Sequence, residues 1–396
     1  MKLEKIREEK AVLLVPAGAG DDPFHKSAFY NPLMTFNRSL SSLGMAAIME
    51  SGKADGTREK STKAASASKA PFTVLDGLAG TGARGIRYAT DNKGIEVTFV
   101  EANPDAVKLL KQNIRANKLK KTKIAAKKFH EFVGAADERY DFVELDPFGT
   151  PAFFLEGAST LIGKAGIISA TGTDLAKLCG KEPATCMRNY SSKPMRCEFS
   201  HELALRILLK KMAEVLALRD YGIQPLFCFY QGHAIKAMVM AEKSSAKADE
   251  SLRQFTYANL CSKCATRWMS EWPQQCKCGG KTDYAGPMWK GKMNDEATVK
   301  KALAINEKKK FTQKEQLTKT LSLMLGENDL PPLFYDVHEL SSKWKMHSPK
   351  KEEIIKRLKK AGFVAGFTHY SPTGFRTNAP VAAIKKAFAA AFSGSR

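Results

Sequence analysis

Cysteine is scarce, no apolar run reaches membrane-spanning length, and acids are far fewer than bases, 41 against 63 in 396 residues. Eight cysteines are too few to staple so long a chain as a disulfide scaffold. Four of them crowd between Cys261 and Cys278, which points to a metal and a reducing compartment. The missing apolar run excludes a membrane-spanning helix. The first residues alternate charge with Leu and Ile and lack a secretory pattern. A soluble, cytoplasmic protein with no membrane partner is therefore expected. The shortage of acids leaves a formal charge of +22, and a field that strong attracts polyanions. Nucleic acid fits it better than an anionic membrane, because no amphipathic anchor with exposed Trp or Phe accompanies the charge. With 43% apolar residues the chain can bury a large core, and its length points to two domains.

Large apolar residues are also missing from 51–70, which is expected to be a flexible insertion without a catalytic role. Before it come a strand at Ala11–Val15, a turn at Ala28–Pro32 with two adjacent aromatics, and a helix opened by Asn37-Arg38 and running through Met49. After it, Phe72–Asp76 has the pattern of a buried strand and leads at once into Gly80-Thr-Gly82-Ala-Arg84-Gly85 and a helix through Thr90. Gly80 and Gly82 let the backbone turn tightly and approach a ligand, while the helix N-terminus offers free N–H groups. A second strand, Ile95–Val100, ends at Glu101, about 20 residues beyond the loop, where an acid accepts the hydroxyls of an adenosine ribose. A helix at Pro104–Asn117, a strand near Lys123–Ala126 and a fourth strand at Phe142–Leu145 complete an α/β, Rossmann-like order.

Glycines of this kind serve dinucleotide oxidoreductases equally well. Two features favour S-adenosylmethionine. Asp76 lies just before the glycine loop, where a carboxylate suits the ammonium of a methionine moiety and faces a pyrophosphate badly. The fourth strand ends in Asp146-Pro-Phe-Gly149, a turn with no job in hydride transfer. Pro147 keeps Asp146 out of helical geometry and holds a carboxylate at the carboxyl end of the strand, with the Phe148 ring two residues on. An exocyclic amine needs such an acceptor, and its base needs a flat surface to stack on. The plain alternative is an acidic cap on a turn.

Further on, 165–175 reads as a fifth strand with its loop, and Phe199–Arg219 as a long helix. His201 and Glu202 in its first turn are taken as a satisfied histidine and an N-terminal helix acid, without chemistry. Gln224–Phe229 and Ile235–Ala241 form a closing hairpin, and the charged run Glu242–Glu250 is a linker. Residues 1–245 thus make one domain and 250–396 a smaller α+β one. In the latter, Cys261, Cys264, Cys276 and Cys278 form a knuckle over 261–278 suited to structural zinc; reduced, unliganded thiols are the alternative, and no histidine or acid joins the set to make zinc catalytic. Lys290–Lys319 is basic and helical in pattern. Over 329–378 a winged-helix arrangement is predicted: a helix Val337–Met346, then Ser348 as N-cap, Pro349 at the first helical position, Glu352–Lys360, and Gly362 as the stop. Its lysines and arginines, with Thr368, His369, Tyr370 and Arg376 in the wing, are expected to touch phosphate.

Seven segments carry a resemblance: Phe29-Tyr-Asn-Pro32 with Asn37-Arg38; Thr81-Gly-Ala-Arg-Gly-Ile-Arg-Tyr-Ala89; Leu145-Asp-Pro-Phe-Gly-Thr-Pro151; Thr171-Gly-Thr-Asp-Leu-Ala-Lys-Leu-Cys-Gly180; Pro194-Met-Arg-Cys-Glu198 with His201-Glu202; Phe334-Tyr-Asp-Val-His338; and Thr368-His-Tyr-Ser-Pro-Thr-Gly374. They span nearly the whole chain, and it resembles the tRNA (guanine-26, N2)-dimethyltransferase family. The resemblance implies a class I methyltransferase domain joined to a family-specific C-terminal domain, whose basic residues are expected to hold tRNA; a monomer is expected. It further implies transfer of one or two methyl groups from S-adenosylmethionine to N2 of a guanine in tRNA. Arg38, Arg84 and Glu101 would make the donor site, Asp146 and Phe148 would face the guanine, and Phe29 would be a second stacking ring. For Arg38 and Arg84 a surface or phosphate contact is the alternative. One departure stands out: relatives carry Asp-Ala after the third strand, placed to read adenine, and this chain has Lys128-Phe129, leaving the backbone there to serve the adenine.

Overall fold

The computed structural model describes residues 2–18, 28–52 and 71–393, so all but the first two residues of the 51–70 insertion lie outside the described residues. The chain opens with an antiparallel hairpin, β1 (Leu3–Glu8) and β2 (Ala11–Pro16). The central sheet comprises β3 (Phe72–Asp76), β4 (Ile95–Val100), β5 (Thr122–Ala125), β6 (Phe142–Leu145), β7 (Ala165–Gly172), β8 (Tyr221–Gln231) and β9 (Ala234–Lys243). Their spatial order is β5-β4-β3-β6-β7-β9-β8. β3 to β7 run parallel, and β9 lies antiparallel to both β7 and β8. Parallel strands covered on both faces become continuous apolar runs, which is why Phe142, Val143, Ile167 and Ile168 are all fully buried. From β3 the chain moves outward to β4 and β5, then returns to place β6 on the other side of β3. The order thus reverses between β3 and β6, and the crevice beyond their carboxyl ends is where such sheets hold ligands. The helices α1 (Thr35–Glu50), α2 (Ala83–Asp91) and α3 (Pro104–Ala116) flank this half.

The run expected as a linker is instead a helix, Ser245–Leu252, whose first turn is capped by the Ser244 side chain accepting from Lys247 N (3.4 Å). It is docked by Ser251 Oγ, which accepts from Ile223 N (2.9 Å). Gly222 permits that contact, since a Cβ there would stand 2.4 Å from Lys247 Cβ.

Beyond it, β10 (Phe255–Cys261), β11 (Arg267–Ser270) and β12 (Thr282–Trp289) form an antiparallel sheet in the order β11-β10-β12. The basic stretch then makes two helices, Glu296–Lys308 and Lys314–Glu327. Their apolar stripe, including Val299, Ile305, Leu317 and Leu321, joins the core shared by α1 and the central sheet. Last come β13 (Tyr335–Asp336), β14 (Ala365–Phe367) and β15 (Gly374–Thr377), in the order β13-β15-β14, with helices Val337–Trp344, Lys351–Lys360 and Val381–Ser393. This part has its own core around Leu340, Ile354, Leu358, Phe375 and Phe388. No helix among the described residues is long and apolar enough to cross a membrane.

Two expectations for the last part are corrected. The helix after Gly-free 345–350 is capped at Lys350, not Ser348, because the Ser348 hydroxyl is spent on Ser341 Oγ (2.6 Å) and His338 Nδ1 (3.2 Å). Pro349 therefore precedes the helix. Nor do Thr368, His369, Tyr370 and Arg376 reach for phosphate. Arg376 is buried and pairs with Glu202 Oε2 (3.0 Å) and Glu327 Oε2 (2.8 Å). Glu327 also binds the Thr368 hydroxyl and His369 Nδ1, while His369 Nε2 accepts from Tyr230 N (3.2 Å). Buried carboxylates need paired partners, and this network locks the C-terminal part onto β8 and the helix Ser200–Ala217. Glu202, expected as an N-terminal helix acid, is a buried ion-pair partner of Arg376 and Arg206, and His201 lies flat on Tyr230, ring centroids 4.0 Å apart.

Candidate active site

A cavity of about 520 Å³ opens at the carboxyl ends of β3, β4 and β6. Asp76 closes β3, and its Oδ2 accepts from Gly85 N (3.0 Å), which fastens the first turn of α2. Burial, reinforced by Glu144, pushes its carboxyl up to about 7. The loop that follows needs its glycines. Gly82, at φ 78°, is the α2 N-cap, and a Cβ there would sit 2.3 Å from Leu110 Cδ1. Gly80 N donates to Glu101 Oε2 (2.7 Å), while Asn103 N donates to Glu101 Oε1 (2.7 Å). Each carboxylate oxygen keeps a lone pair for a further donor, as a ribose diol requires.

Asp146 sits across the crevice. Arg84 from α2 grips one of its oxygens through Nε and Nη2, both at 2.7 Å. Ser41 Oγ (3.1 Å) and Asn37 Oδ1 (3.2 Å) of α1 hold the rest of the guanidinium. Burial alone would raise the Asp146 carboxyl; Arg84, aided by Lys236, outweighs it and holds the group below its usual range. It is therefore a fixed acceptor, with 24% of its side chain still open. Beneath it Glu144 is fully buried, bound by Lys236 and by Tyr88 Oη (2.7 Å). Burial brings Lys236 down to about 8. Phe148, 58% exposed, meets Phe29 edge to face, centroids 4.1 Å apart at 79°. The two rings touch, so no base fits between them in this arrangement; one open ring face is what they offer.

The cavity wall brings together Phe29, Arg38, Asp76, Gly80, Arg84, Glu101, Phe129, Asp146 and Phe148. Gly82 and Lys128 are not on it: the former shapes the helix start, and the neighbouring Lys127 lines the wall in place of Lys128. Arg38 lines the cavity with its charge already engaged, since Nε donates to Glu8 Oε2 (2.9 Å) and Nη2 to Asn31 O (3.1 Å). It ties β1 to the segment that carries Phe29. Sequence reasoning gave no role to Asn31, Thr173 or His233, which complete the mouth. Asn31 Nδ2 lies 3.4 Å from His233 Nε2, and Thr173 Oγ1 accepts from Gly149 N (2.8 Å). Thr173 stood in a matching segment; His233, in a hairpin turn, carries no local signal.

Far from this cavity in sequence, the Sγ atoms of Cys261, Cys264, Cys276 and Cys278 all lie within 4.8 Å of one another. The closest approaches, 3.4 Å for Cys261–Cys278 and 3.6 Å for Cys264–Cys276, are near the roughly 3.8 Å edge of a tetrahedron with Zn–S of about 2.3 Å. Gly280 keeps that cradle open, since a Cβ there would come 2.8 Å from Cys261 Sγ. The donor set fits a structural zinc.

Comparison with known proteins agrees with this geometry. The sequence profile of the family described as N2,N2-dimethylguanosine tRNA methyltransferase matches residues 5–389. The tRNA (guanine(26)-N(2))-dimethyltransferase of Pyrococcus abyssi is 31% identical, over 96% of this chain and 97% of its own. That of Methanosarcina acetivorans is 32% identical with the same two coverages. The solved complex of Trm1 from Pyrococcus horikoshii with S-adenosyl-L-methionine has a TM-score of 0.83 at 30% identity, covering 97% of this chain and 99% of that one. A doubly wound sheet with Asp76, Glu101 and Asp146 around its switch point, and a likeness spanning the chain from end to end, have one reading: this chain belongs to the N2,N2-dimethylguanosine tRNA methyltransferase family.

Proposed function

We propose that this protein methylates the exocyclic N2 of guanine-26 in tRNA, twice, with S-adenosylmethionine as donor. The observation that carries the reading is Asp146, a carboxylate held charged by Arg84, open to the cavity, and flanked by the exposed Phe148 ring. Asp76 and Glu101, at the ends of adjacent strands, suit the ammonium and the ribose of the donor, and Val100 and Phe129 give an apolar wall for its adenine. Phe129 takes that place without a side-chain acid. When bound, the donor supplies an electrophilic methyl on a sulfonium.

The chain's own part begins with the base. N2 of guanine is a weak nucleophile because its lone pair is delocalised into the ring. Asp146, accepting one N–H, orients the amine and favours the positive charge that grows on nitrogen as the N–C bond forms; positioned groups of this kind contribute roughly 10²–10⁴ in rate. The methylated nitrogen is then strongly acidic, so its proton leaves to Asp146 or water without a strong base. That suits a carboxyl held below its usual range. The monomethyl product keeps one N–H for the same acceptor, and the dimethyl product keeps none, so the site has a chemical reason to stop at two. Leaving the base stack costs a few kcal/mol, and contact with the Phe148 face offsets part of it.

The protein is proposed to work as a monomer in the cytoplasm. No disulfide joins any of the eight cysteines, as a reducing compartment favours. Incubating unmodified tRNA transcript with protein and labelled donor, then analysing nucleosides by mass spectrometry, tests the reading. N2,N2-dimethylguanosine should form and should vanish when guanine-26 is replaced by adenine. Label in a transcript lacking that guanine, or on another atom, would overturn it.

A further inference from the structure

The sheet of β10, β11 and β12 has one face that is largely apolar and buried and another that carries partly exposed aromatics. Ala258, Ala285 and Met288 point inward, whereas the register aligns Tyr257 with Ser270 and places Asn259 beside both Trp268 and Tyr284. Residues paired across a sheet share a face, so the partly exposed Tyr257, Trp268 and Tyr284 surround the buried Asn259, whose Oδ1 accepts from Gln274 N (2.9 Å). Trp272, 70% exposed just past β11, extends this face by stacking on Tyr257 (6.4 Å, 27°), and Tyr257 meets Tyr284 at 6.1 Å. Lys193 Nζ stands 3.9 Å over the Tyr284 ring. The mechanism uses none of these residues.

Lys193 reveals where the face looks. It belongs to the segment that follows β7, whose Thr173 lines the methyl-transfer cavity. That segment is sewn to β12 by Lys193 N–H to Gly286 O (2.9 Å) and Gly286 N–H to Lys193 O (2.8 Å). From Thr173 to Lys193 the segment exposes Lys181 and Arg188, and Arg196 is exposed just beyond. Lys263, Lys277 and Lys281 are exposed on the cysteine-bearing loops beside the face.

We propose that the outer face of β10–β12, with Tyr257, Trp268, Trp272 and Tyr284, is a stacking platform for unpaired nucleotides of the tRNA, distinct from the pocket that takes the target guanine. The occupant follows from the chemistry. Flat rings bordered by the exposed Lys263, Lys277 and Lys281 match bases on a charged backbone. Bases inside a duplex hide their faces, so the nucleotides must be unpaired. The platform rests on the tRNA reading above, and it anchors the substrate at a second point while the guanine is extruded.

The test is steady-state methylation of unmodified tRNA by the full-length protein and its Trp272→Ala, Trp272→Phe and Tyr257→Leu variants, with donor affinity measured alongside. Trp272→Ala should raise KM for tRNA about tenfold, within the range of a single base–aromatic stack, with kcat and donor affinity unchanged. Trp272→Phe should restore most of the loss. Quenching of Trp272 fluorescence by a single-stranded oligoribonucleotide, and not by the same sequence as a duplex, should accompany it. Unchanged KM in Trp272→Ala and Tyr257→Leu would overturn the platform and leave this face to a protein partner, and equal quenching by duplex would overturn the preference for unpaired bases. Neither result touches the methyl-transfer reading, which fails only if the unaltered protein does not methylate tRNA.

Discussion

Replacing Arg84 with Gln should move the acidic limb of the pH–rate profile. In the native site both Nε and Nη2 of Arg84 reach one Asp146 oxygen at 2.7 Å, and the guanidinium is the main influence that opposes burial and keeps the carboxyl charged. Removing an opposite charge at this range shifts a carboxyl by about 1–3 units, or about 1.4 kcal/mol per unit. The sign is fixed. Without Arg84, burial prevails, the Asp146 pKa rises, and the acceptor form is lost at a higher pH. At saturating donor the unaltered protein should therefore keep a flat kcat/KM for tRNA below neutrality, and Arg84→Gln should lose activity progressively as pH falls, its limb displaced upward by about 1–3 pH units. Breaking a buried pair can also cost about 3–5 kcal/mol of stability. Because Asp146 is partly open, the loss should lie toward or below the lower end of that range, so a melting curve must show each variant folded across the pH series. Arg84→Lys retains the charge and loses the two-point grip: its limb should stay near the native position while kcat falls. Initial rates of labelled methyl transfer to tRNA at saturating donor, from about pH 5 to about pH 9, read both effects. A folded Arg84→Gln protein with an unmoved acidic limb would refute the role given to this pair.

Two further outcomes concern the rest of the site. The Asp76 carboxyl, raised to about 7, should be protonated below that pH and lose its hold on the donor ammonium. Calorimetry should show donor affinity weakening as pH falls through about 7, with Asp76→Asn weaker throughout and flat across that window; an unaltered protein with pH-independent affinity would contradict the assignment. Metal analysis should find one zinc per chain, and Cys264→Ser should lose it and lower the melting temperature while residual activity keeps the native KM for donor. A variant as stable as the parent, with no zinc in either, would remove the structural role.

The methyl-transfer corner was readable because its signals are local. Apolar runs give β3 and β6, Pro147 ends one strand and frees Asp146, and Gly80 and Gly82 mark the turn after the other. The wing was misread because its partners are remote: Arg376 meets Glu202, 174 positions away, and Glu327, 49 away, so a basic residue that looks like a phosphate ligand is a buried tie. Helix Ser245–Leu252 hides for a related reason. Only Ala248 and Ser251 are buried in it, and two positions carry no periodic pattern. At Ser348 the cap signal fitted, and a hydrogen bond to Ser341 decided otherwise. Phe29 and Phe148 were expected to face a base together, but how their rings meet is set by the packing of 28–32 against the β6 corner, which no spacing encodes.

The most direct measurement is the rate of N2 methylation by Asp146→Ala on unmodified tRNA, read as labelled nucleoside by mass spectrometry. A fixed carboxylate that prepares the amine predicts a loss of about 10²-fold or more, with donor and tRNA affinities within a few-fold of native. Methylation at near-native rate by that variant would contradict it.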